Sequence, residues 1–226
     1  MSAIGERTTT PSRVAVFDLD GTITRHDTLL PFLAGYGSRH PAGLWRLWRL
    51  PFSLAAFALG LSSRGSLKSQ VIRQVMLGAS RQSVVDWNEE FCRSRLPAML
   101  NPGALAAIKQ HRAAGDHLVL LSASVDLYVP AIGHYLGFDE AICTGVSWID
   151  DTLEARLTTE NRRGVEKRRC IEALRERFPN ARLSAYGNAT SDFDHLLAVD
   201  EPLVVNAGSR TLRQARAAGL PCEDWR

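Results

Sequence analysis

Short apolar runs that each end at a cluster of polar residues constrain the fold of this chain more than any other feature. They lie at 14–17, 117–121, 182–186 and, more weakly, 202–205. Runs of this length are typical of strands that are buried on both faces of a parallel sheet. Helical patterns separate them, at 104–114, 125–136, 164–178 and 191–199. This alternation predicts an α/β fold with a doubly wound parallel sheet, in which ligands collect where the strands end.

The stretch 28–99 interrupts this alternation. Its apolar residues recur at helical spacing, and about seventy residues are too many for a loop. We predict an all-helical cap at 28–99, inserted into a core domain made of 11–27 and 100–226. Residues 1–10 are polar and are expected to form a loose N-terminus. A separate alternating pattern at 147–157 predicts a small hairpin.

Residues 44–61 form the most apolar part of the predicted cap. The mainly apolar run that follows Pro51 has ten residues, fewer than the roughly 20 that span a bilayer. Two interpretations stay open. The segment is either a helix buried against its neighbours or a second copy of the chain, or an interfacial helix in peripheral contact with a membrane. In the second case four residues would lie at head-group level: Trp45, Arg46, Trp48 and Arg49.

Charge and cysteine content narrow the class of protein. The formal net charge is +3, too small to indicate nucleic-acid binding without a concentrated basic patch. The four cysteines are widely separated and lack metal-binding spacing, which favours a reduced setting. The first residues contain no apolar signal segment. We therefore expect a cytoplasmic protein without nucleic-acid partners. If residues 44–61 contact lipid, the protein would be peripheral on the inner membrane face. The sequence does not predict the oligomeric state.

Two carboxylates follow the first apolar run. Asp18 and Asp20 are separated by one residue, so in extended backbone their side chains would leave on the same face. Converging carboxylates suit a hard cation such as Mg²⁺, and they can also divide into a nucleophile and an acid/base. An isolated pair of this kind is more simply a solvated loop. The rest of the pattern therefore decides its interpretation.

Further polar residues lie at the ends of the other predicted strands. Ser122 ends the second run, and the backbone N–H groups after it would begin the predicted helix 125–136, which makes an anion site. Lys167 lies in the opening turns of another predicted helix, and Asn188 and Asp192 follow the third run. Each residue alone has an ordinary structural role as a cap or a solvated charge. Together, at strand ends of one sheet, they indicate a site.

In these motifs the chain resembles the haloacid dehalogenase superfamily of phosphohydrolases, which has a Rossmann-like core. The run from Asp18 to Thr22 matches the DxDGT motif, Ser122 the second motif and Lys167 the third. Asn188 and Asp192 match the fourth motif, GDxxxD, with Asn in place of its first Asp. The cap position and helical pattern are similar to subfamily IB, the phosphoserine-phosphatase-like branch. The composition of the cap segment resembles that of phosphatidylglycerophosphatase C-type proteins.

The resemblance implies a Mg²⁺-dependent phosphomonoesterase that works through an aspartyl-phosphate. Asp18 would be the nucleophile and Asp20 the general acid and base. Ser122 and Lys167 would bind the phosphoryl oxygens.

The resemblance also implies a metal site and a substrate site. Mg²⁺ would be held by Asp18, the backbone carbonyl of Asp20 and Asn188, with Asp192 orienting the ligands. Four residues are expected to contact the substrate: Thr22, Asp27, Ala123 and Ser124. The substrate would be a small phosphorylated metabolite or a phospholipid head group. The alternative is a non-catalytic, phosphate-binding relative that serves as a membrane- or partner-binding module.

Overall fold

A six-stranded parallel sheet lies at the centre of the molecule. The computed structural model describes residues 11–226, apart from the side chains of residues 44 and 64; the predicted loose terminus at 1–10 lies outside the described residues. In chain order the strands are β1 (Arg13–Phe17), β2 (His117–Val125), β3 (Glu140–Thr144), β4 (Val146–Ile149), β5 (Thr152–Leu157), β6 (Arg182–Gly187), β7 (Glu201–Val205) and β8 (Cys222–Glu223). The sheet has the order β3-β2-β1-β6-β7-β8, and β4 and β5 form a separate antiparallel pair.

Helices connect the strands and form the long insertion after β1. In chain order they are α1 (Leu29–Arg39), α2 (Leu50–Ala58), α3 (Arg64–Met76), α4 (Arg81–Ser94), α5 (Pro102–Ala114), α6 (Val129–Leu136), α7 (Val165–Arg177), α8 (Phe193–Leu196) and α9 (Ser209–Ala217). Short 3-10 helices cover Pro41–Arg49, Leu96–Met99 and Thr190–Asp192.

Alternate residues of the central strand enter two different hydrophobic clusters. Ala15 and Phe17 of β1 belong to the cluster on one side of the sheet, whereas Val14 and Val16 belong to the cluster on the other. All four side chains are fully buried. Because both faces of the sheet are covered here, apolar side chains of β1 are buried on each side of it. This packing confirms the predicted doubly wound α/β fold.

The predicted strands are confirmed, but the bounds of one strand and two helices need correction. Strand β2 continues to Val125, beyond the predicted 117–121, because Val125 pairs with Thr144 after a register shift. Helix α6 therefore begins at Val129 and not at residue 125. The predicted helix 191–199 is a 3-10 turn followed by the four-residue α8. The sequence patterns also missed β3, β8 and α9.

The long insertion consists of helices joined by short turns, as predicted for 28–99. The predicted hairpin at 147–157 is confirmed as β4 and β5, and it packs against the insertion. The backbone N–H of Leu153 donates to the carbonyl of Ala79 at 2.9 Å, and Ser80 bridges to Thr152. The hairpin thus supports the helices over the strand ends. The domain boundaries at 27/28 and 99/100 stay predictions.

The apolar segment is not buried against its neighbours in this chain, so that part of the first interpretation is wrong. Helix α2 contains no buried residue. Trp45, Trp48 and Phe52 are exposed, because the core of the insertion is filled by α1, α3 and α4. Across residues 11–226 we find no helix that is both long and apolar enough to cross a membrane.

Candidate active site

A buried cluster of three charged side chains lies where β1 and β6 end. The backbone N–H of Asp18 still donates to the carbonyl of Tyr186 in β6, at 3.0 Å, so parallel pairing fixes the position of Asp18. The ammonium Nζ of Lys167, from the first turn of α7, lies 2.5 Å from Asp18 Oδ1 and 2.8 Å from Asp192 Oδ1. The structure therefore brings together three predicted site residues that are far apart in sequence.

The cluster contains two carboxyl groups and one ammonium, so their charges do not cancel when both carboxyls are ionised. Burial raises the pKa of Asp18 to about 7, because the nearby Lys167 ammonium does not fully offset the desolvation and the charge of Asp192. Burial alone would lower the pKa of Lys167, but the two carboxylates outweigh it and hold that pKa above its ordinary value. Burial would likewise raise the pKa of Asp192, but Lys167 lowers it below the usual range. Lys167 is thus a fixed cation.

Asp20 is held by residues from two other parts of the chain. Its Oδ1 accepts hydrogen bonds of 2.7 Å from both the backbone N–H and the hydroxyl of Thr28, and its Oδ2 accepts one of 2.7 Å from the Ser124 hydroxyl. Burial raises the pKa of Asp20, Asp27 adds to this effect, and the hydrogen bonds from Ser124 and Thr28 oppose it. Asp20 is therefore oriented and biased towards its protonated form.

Two residues behind Asp20 were missed from the sequence. The hydroxyl of Thr28 lies 3.1 Å from that of Tyr128, and both side chains are buried. Burial raises the pKa of Tyr128 well above its ordinary value, so its phenol stays neutral. Neither residue belongs to a motif, and only the contact between the start of α1 and the start of α6 brings them to Asp20.

Ser122 and Thr22 lie beneath the site and do not line its cavity. Ser122 Oγ accepts a hydrogen bond of 3.0 Å from the Ser124 N–H, while the Thr22 hydroxyl donates to Asp18 Oδ2 at 3.0 Å. The predicted anion site at a helix start after Ser122 is wrong, since β2 continues to Val125 and α6 begins four residues later. Both hydroxyls hold neighbouring site residues in place.

A cavity of about 650 Å³ opens above these residues. Eight of the ten predicted site residues line it: Asp18, Asp20, Asp27, Ala123, Ser124, Lys167, Asn188 and Asp192. Asp27 is exposed, and its Oδ1 also accepts from the Leu29 N–H at 2.9 Å, which caps α1. The opposite wall is apolar and comes largely from the insertion, with Leu54 and Phe57 of α2 and Leu67 of α3.

Lys68 of α3 also lines the cavity and was missed from the sequence. Its Nζ lies 2.5 Å from the carbonyl oxygen of Ala123 and 2.9 Å from Asn161 Oδ1. Burial lowers the pKa of Lys68, and the charges of Asp20 and Asp27 oppose the shift. The insertion therefore brings a cation to the acidic side of the cavity. A single lysine on an amphipathic helix gives no sequence signal of this role.

Asn188 packs against the turn that follows β1. Gly21 has a φ of +85°, and a Cβ atom built on it would lie 1.9 Å from Asn188 Nδ2. Glycine is therefore required at residue 21 both for the left-handed backbone and for the close approach of the amide. This contact sets the Asn188 side chain beside the carbonyl end of β1.

The donor set fits a magnesium ion. Within residues 11–226 no group of three or more His, Cys, Asp or Glu side chains is arranged to hold a metal. Yet the carboxylates of Asp18, Asp20 and Asp192 and the amide of Asn188 all line one cavity, where the Lys167 ammonium contacts two of these three carboxylates. Hard oxygen donors with surplus negative charge suit Mg²⁺.

Comparisons with known proteins identify the family and agree with the fold. A family described as haloacid dehalogenase-like hydrolase matches residues 15–196. The chain is 34% identical over 200 residues to protein CicA of Caulobacter vibrioides, covering 87% of each. It is 25% identical over 218 residues to phosphoserine phosphatase SerB1 of Mycobacterium tuberculosis, covering 94% of this chain and 70% of that one. A solved structure of a Bordetella pertussis protein of unknown function superposes with a TM-score of 0.80 at 23% identity, covering 96% of this chain and 100% of the other.

Proposed function

This chain belongs to the haloacid dehalogenase-like hydrolase family and is a phosphatase, and we propose that it hydrolyses phosphomonoesters through an aspartyl-phosphate on Asp18. The contact of the Lys167 ammonium with both Asp18 and Asp192 is the observation that supports this most. A carboxylate can attack a phosphate dianion only where fixed positive charge reduces their repulsion. Lys167 supplies such a charge at the end of β1, inside the cavity.

In the first half-reaction, a carboxylate oxygen of Asp18 attacks phosphorus and the bond from phosphorus to the ester oxygen breaks. Asp20 donates its proton to the leaving oxygen, so the alcohol departs neutral. The raised pKa of Asp20 supports this role, because the acid form must be populated before the step. The hydrogen bonds from Thr28 and Ser124 orient the Asp20 carboxyl for the transfer.

In the second half-reaction, water attacks the phosphorus of the aspartyl-phosphate. Asp20, now ionised, takes the proton from that water, and the bond to the Asp18 oxygen breaks to release inorganic phosphate. Both carboxyl groups thereby return to their starting states. One residue serves as acid and then as base, as microscopic reversibility requires.

Asp18, the backbone carbonyl of Asp20 and the Asn188 amide would hold Mg²⁺, and Asp192 would orient these ligands. When bound, the ion supplies positive charge that neutralises the phosphoryl oxygens. The contact of Asp192 Oδ2 with the N–H groups of Asn188 and Ala189, at 3.1 and 2.9 Å, supports the orienting role because it fixes the loop that carries Asn188.

The substrate belongs to one of two classes, a small phosphorylated metabolite or a lipid head-group phosphate. SerB1, a relative of this chain, is named for phosphoserine. Beyond the phosphate, a substrate would meet Asp27, Ala123 and Ser124 on one side and the apolar wall from α2 on the other. Lys68 would offer a further contact for an anionic group.

The test is hydrolysis of p-nitrophenyl phosphate with Mg²⁺ or with EDTA. Asp18→Asn should reduce turnover to background while the melting temperature changes little. Asp86→Asn is the matched control, because Asp86 is exposed on α4 and away from the cavity. Activity of Asp18→Asn near that of wild type would refute the mechanism. Absence of turnover in wild type, with phosphate still bound, would support the non-catalytic alternative.

A further inference from the structure

We propose that residues 45–61 form a docking surface for an anionic lipid membrane. The segment exposes large apolar side chains that the fold does not cover: Trp45 is 62% exposed, Phe52 67% and Leu61 77%. Leu54 and Leu59 are also exposed. Monomeric proteins rarely expose large apolar patches, so exposed apolar side chains this dense along one segment favour a binding surface.

The charge of the insertion matches an anionic surface. From Thr28 to Val85 the sequence contains seven lysine and arginine residues and no aspartate or glutamate. The whole chain has a net charge of +3, so the remainder is net negative. Arg39 and Arg81 form ion pairs with Glu90 and Asp151, and Lys68 faces the cavity, so the basic residues that lie among the exposed apolar side chains are Arg46 and Arg49. Basic and apolar residues together are the pattern of helices that bind at lipid head groups.

Arginine and tryptophan are paired within the docking surface. The guanidinium of Arg46 lies 5.6 Å from the centre of the Trp45 ring, and that of Arg49 lies 5.2 Å from the Trp48 ring. The Trp48 ring contacts Phe52 edge to face at 6.0 Å. Such pairs place a cation beside an aromatic ring and an apolar side chain. A bilayer offers matching surroundings in the same order: lipid phosphates for the cation, the interface for the aromatic ring and acyl chains for the apolar side chain.

The docking surface is continuous with the mouth of the active-site cavity. Leu54 and Phe57, from the same helix α2, line that cavity together with Leu30 of α1. A membrane bound at residues 45–61 would therefore lie at the cavity entrance. This consequence rests on the proposed function, whereas the docking itself does not depend on catalysis.

Nucleic acid and a second copy of this chain match the docking surface less well than a membrane does. Nucleic acid would match the positive charge but would leave Leu59 and Leu61 in water. A second copy of this chain would bring the arginines Arg46 and Arg49 towards their own equivalents, with no acidic residue between 28 and 85 to pair with them. An anionic membrane satisfies both the charge and the apolar area.

The test is co-sedimentation of the full chain, without substrate, with vesicles of phosphatidylcholine alone or mixed with phosphatidylserine at about 3:1. Wild type should partition at least about tenfold more onto the anionic vesicles. The partition of Arg46→Glu/Arg49→Glu onto the anionic vesicles should be lower than that of wild type by about 30-fold or more. Phe52→Ser/Leu61→Ser should lose about tenfold or more of this partition, since it removes two apolar side chains that the lipid would bury.

Arg210→Glu/Arg213→Glu on α9 is the matched control, with the same charge change on an exposed helix outside the insertion. It should bind as wild type does. Circular dichroism should show every variant folded at the assay temperature, including Arg46→Glu/Arg49→Glu, which loses the hydrogen bond from Arg46 to the carbonyl of Leu77. The proposal is overturned if wild type stays in the supernatant, or if the control loses as much binding as the docking variants. A stable dimer that Phe52→Ser/Leu61→Ser dissociates, or a gel shift of single-stranded DNA, without vesicle binding in either case, would also overturn it. Because binding is measured without turnover, failure here leaves the proposed phosphatase chemistry unaffected.

Discussion

Replacing Lys167 by methionine tests the electrostatics of the buried cluster. Methionine keeps much of the side-chain volume and removes the charge, which leaves Asp18 and Asp192 without their shared partner at 2.5 and 2.8 Å. Removing one member of a buried ion pair costs about 3–5 kcal/mol. In a chain of this length 1 kcal/mol corresponds to about 2–4 °C, so the melting temperature at pH 8 in EDTA should fall by about 6–20 °C.

The loss should depend on pH in a defined direction. Without Lys167 the pKa values of both carboxyls are raised in the folded protein above their values in the unfolded chain. The destabilisation is then fully present at alkaline pH and shrinks as the pH falls towards the ordinary carboxyl pKa, because the buried carboxyls take up protons. Mg²⁺ should restore part of the stability at pH 8, since it supplies the missing positive charge.

The assay is thermal unfolding followed by circular dichroism between pH 4 and pH 8, with and without Mg²⁺. Lys109→Met is the matched control, because Lys109 is exposed on α5. If Lys167→Met melts within about 2 °C of the control at pH 8 in EDTA, the estimate of the ion-pair energy is wrong. Hydrolysis of p-nitrophenyl phosphate should fall by about a hundredfold or more below wild type.

Three other changes test separate parts of the account. Asp20→Asn should slow single-turnover hydrolysis most for esters with poor leaving groups, which need a proton; an equal loss across a leaving-group series would exclude the acid role. Asn188→Asp should lower the Mg²⁺ concentration that gives half-maximal activity, and Asn188→Ala should raise it. If Asn188→Ala and wild type give identical Mg²⁺ titrations of activity, the amide is not a ligand. The pKa of Asp200 is lowered by its hydrogen bond from the Leu183 N–H, at 2.8 Å, and by Arg175. Its stabilisation is therefore present above the ordinary carboxyl pKa and lost as the pH falls through the lowered value, so Asp200→Asn should melt below wild type at pH 7, and the difference should shrink as the pH falls below the ordinary carboxyl pKa. Equal melting at pH 7 would contradict this.

The sequence could predict which polar residues lie close together, because the carboxyl ends of parallel strands meet at one edge of the sheet. Asp18, Lys167 and Asp192 could be assigned to one site from their places after strands or at a helix start, and the structure brings them into contact. Their partners could not be predicted in the same way. Thr28 and Tyr128 reach Asp20 only through packing between segments a hundred residues apart.

The start of the helix after Ser122 shows a second limit of prediction from the sequence. The apolar pattern of 125–136 suits a helix from its first residue, but pairing with β3 keeps Val125 in the sheet. The strand pairing overrides a local preference that is only a few tenths of a kcal/mol per residue. The interpretation that places Ser122 below a helix start was wrong for this reason.

The apolar segment shows a third limit, since composition alone does not distinguish a buried helix from an exposed one. Residues 44–61 have the same sequence whether they face the protein, a second copy or lipid. Only the packing of α1, α3 and α4 decides that the Phe52 side chain has no place in the core.

Trapping the covalent intermediate tests the central proposal most directly. The protein is mixed with p-nitrophenyl phosphate and Mg²⁺, quenched in acid within milliseconds, digested and analysed by mass spectrometry. The account predicts one added phosphoryl group on the peptide that contains Asp18, removed by hydroxylamine and more abundant when Asp20→Asn slows hydrolysis of the intermediate. Steady turnover with no phosphoryl group on Asp18 at any quench time, or with the group on another residue, would contradict it.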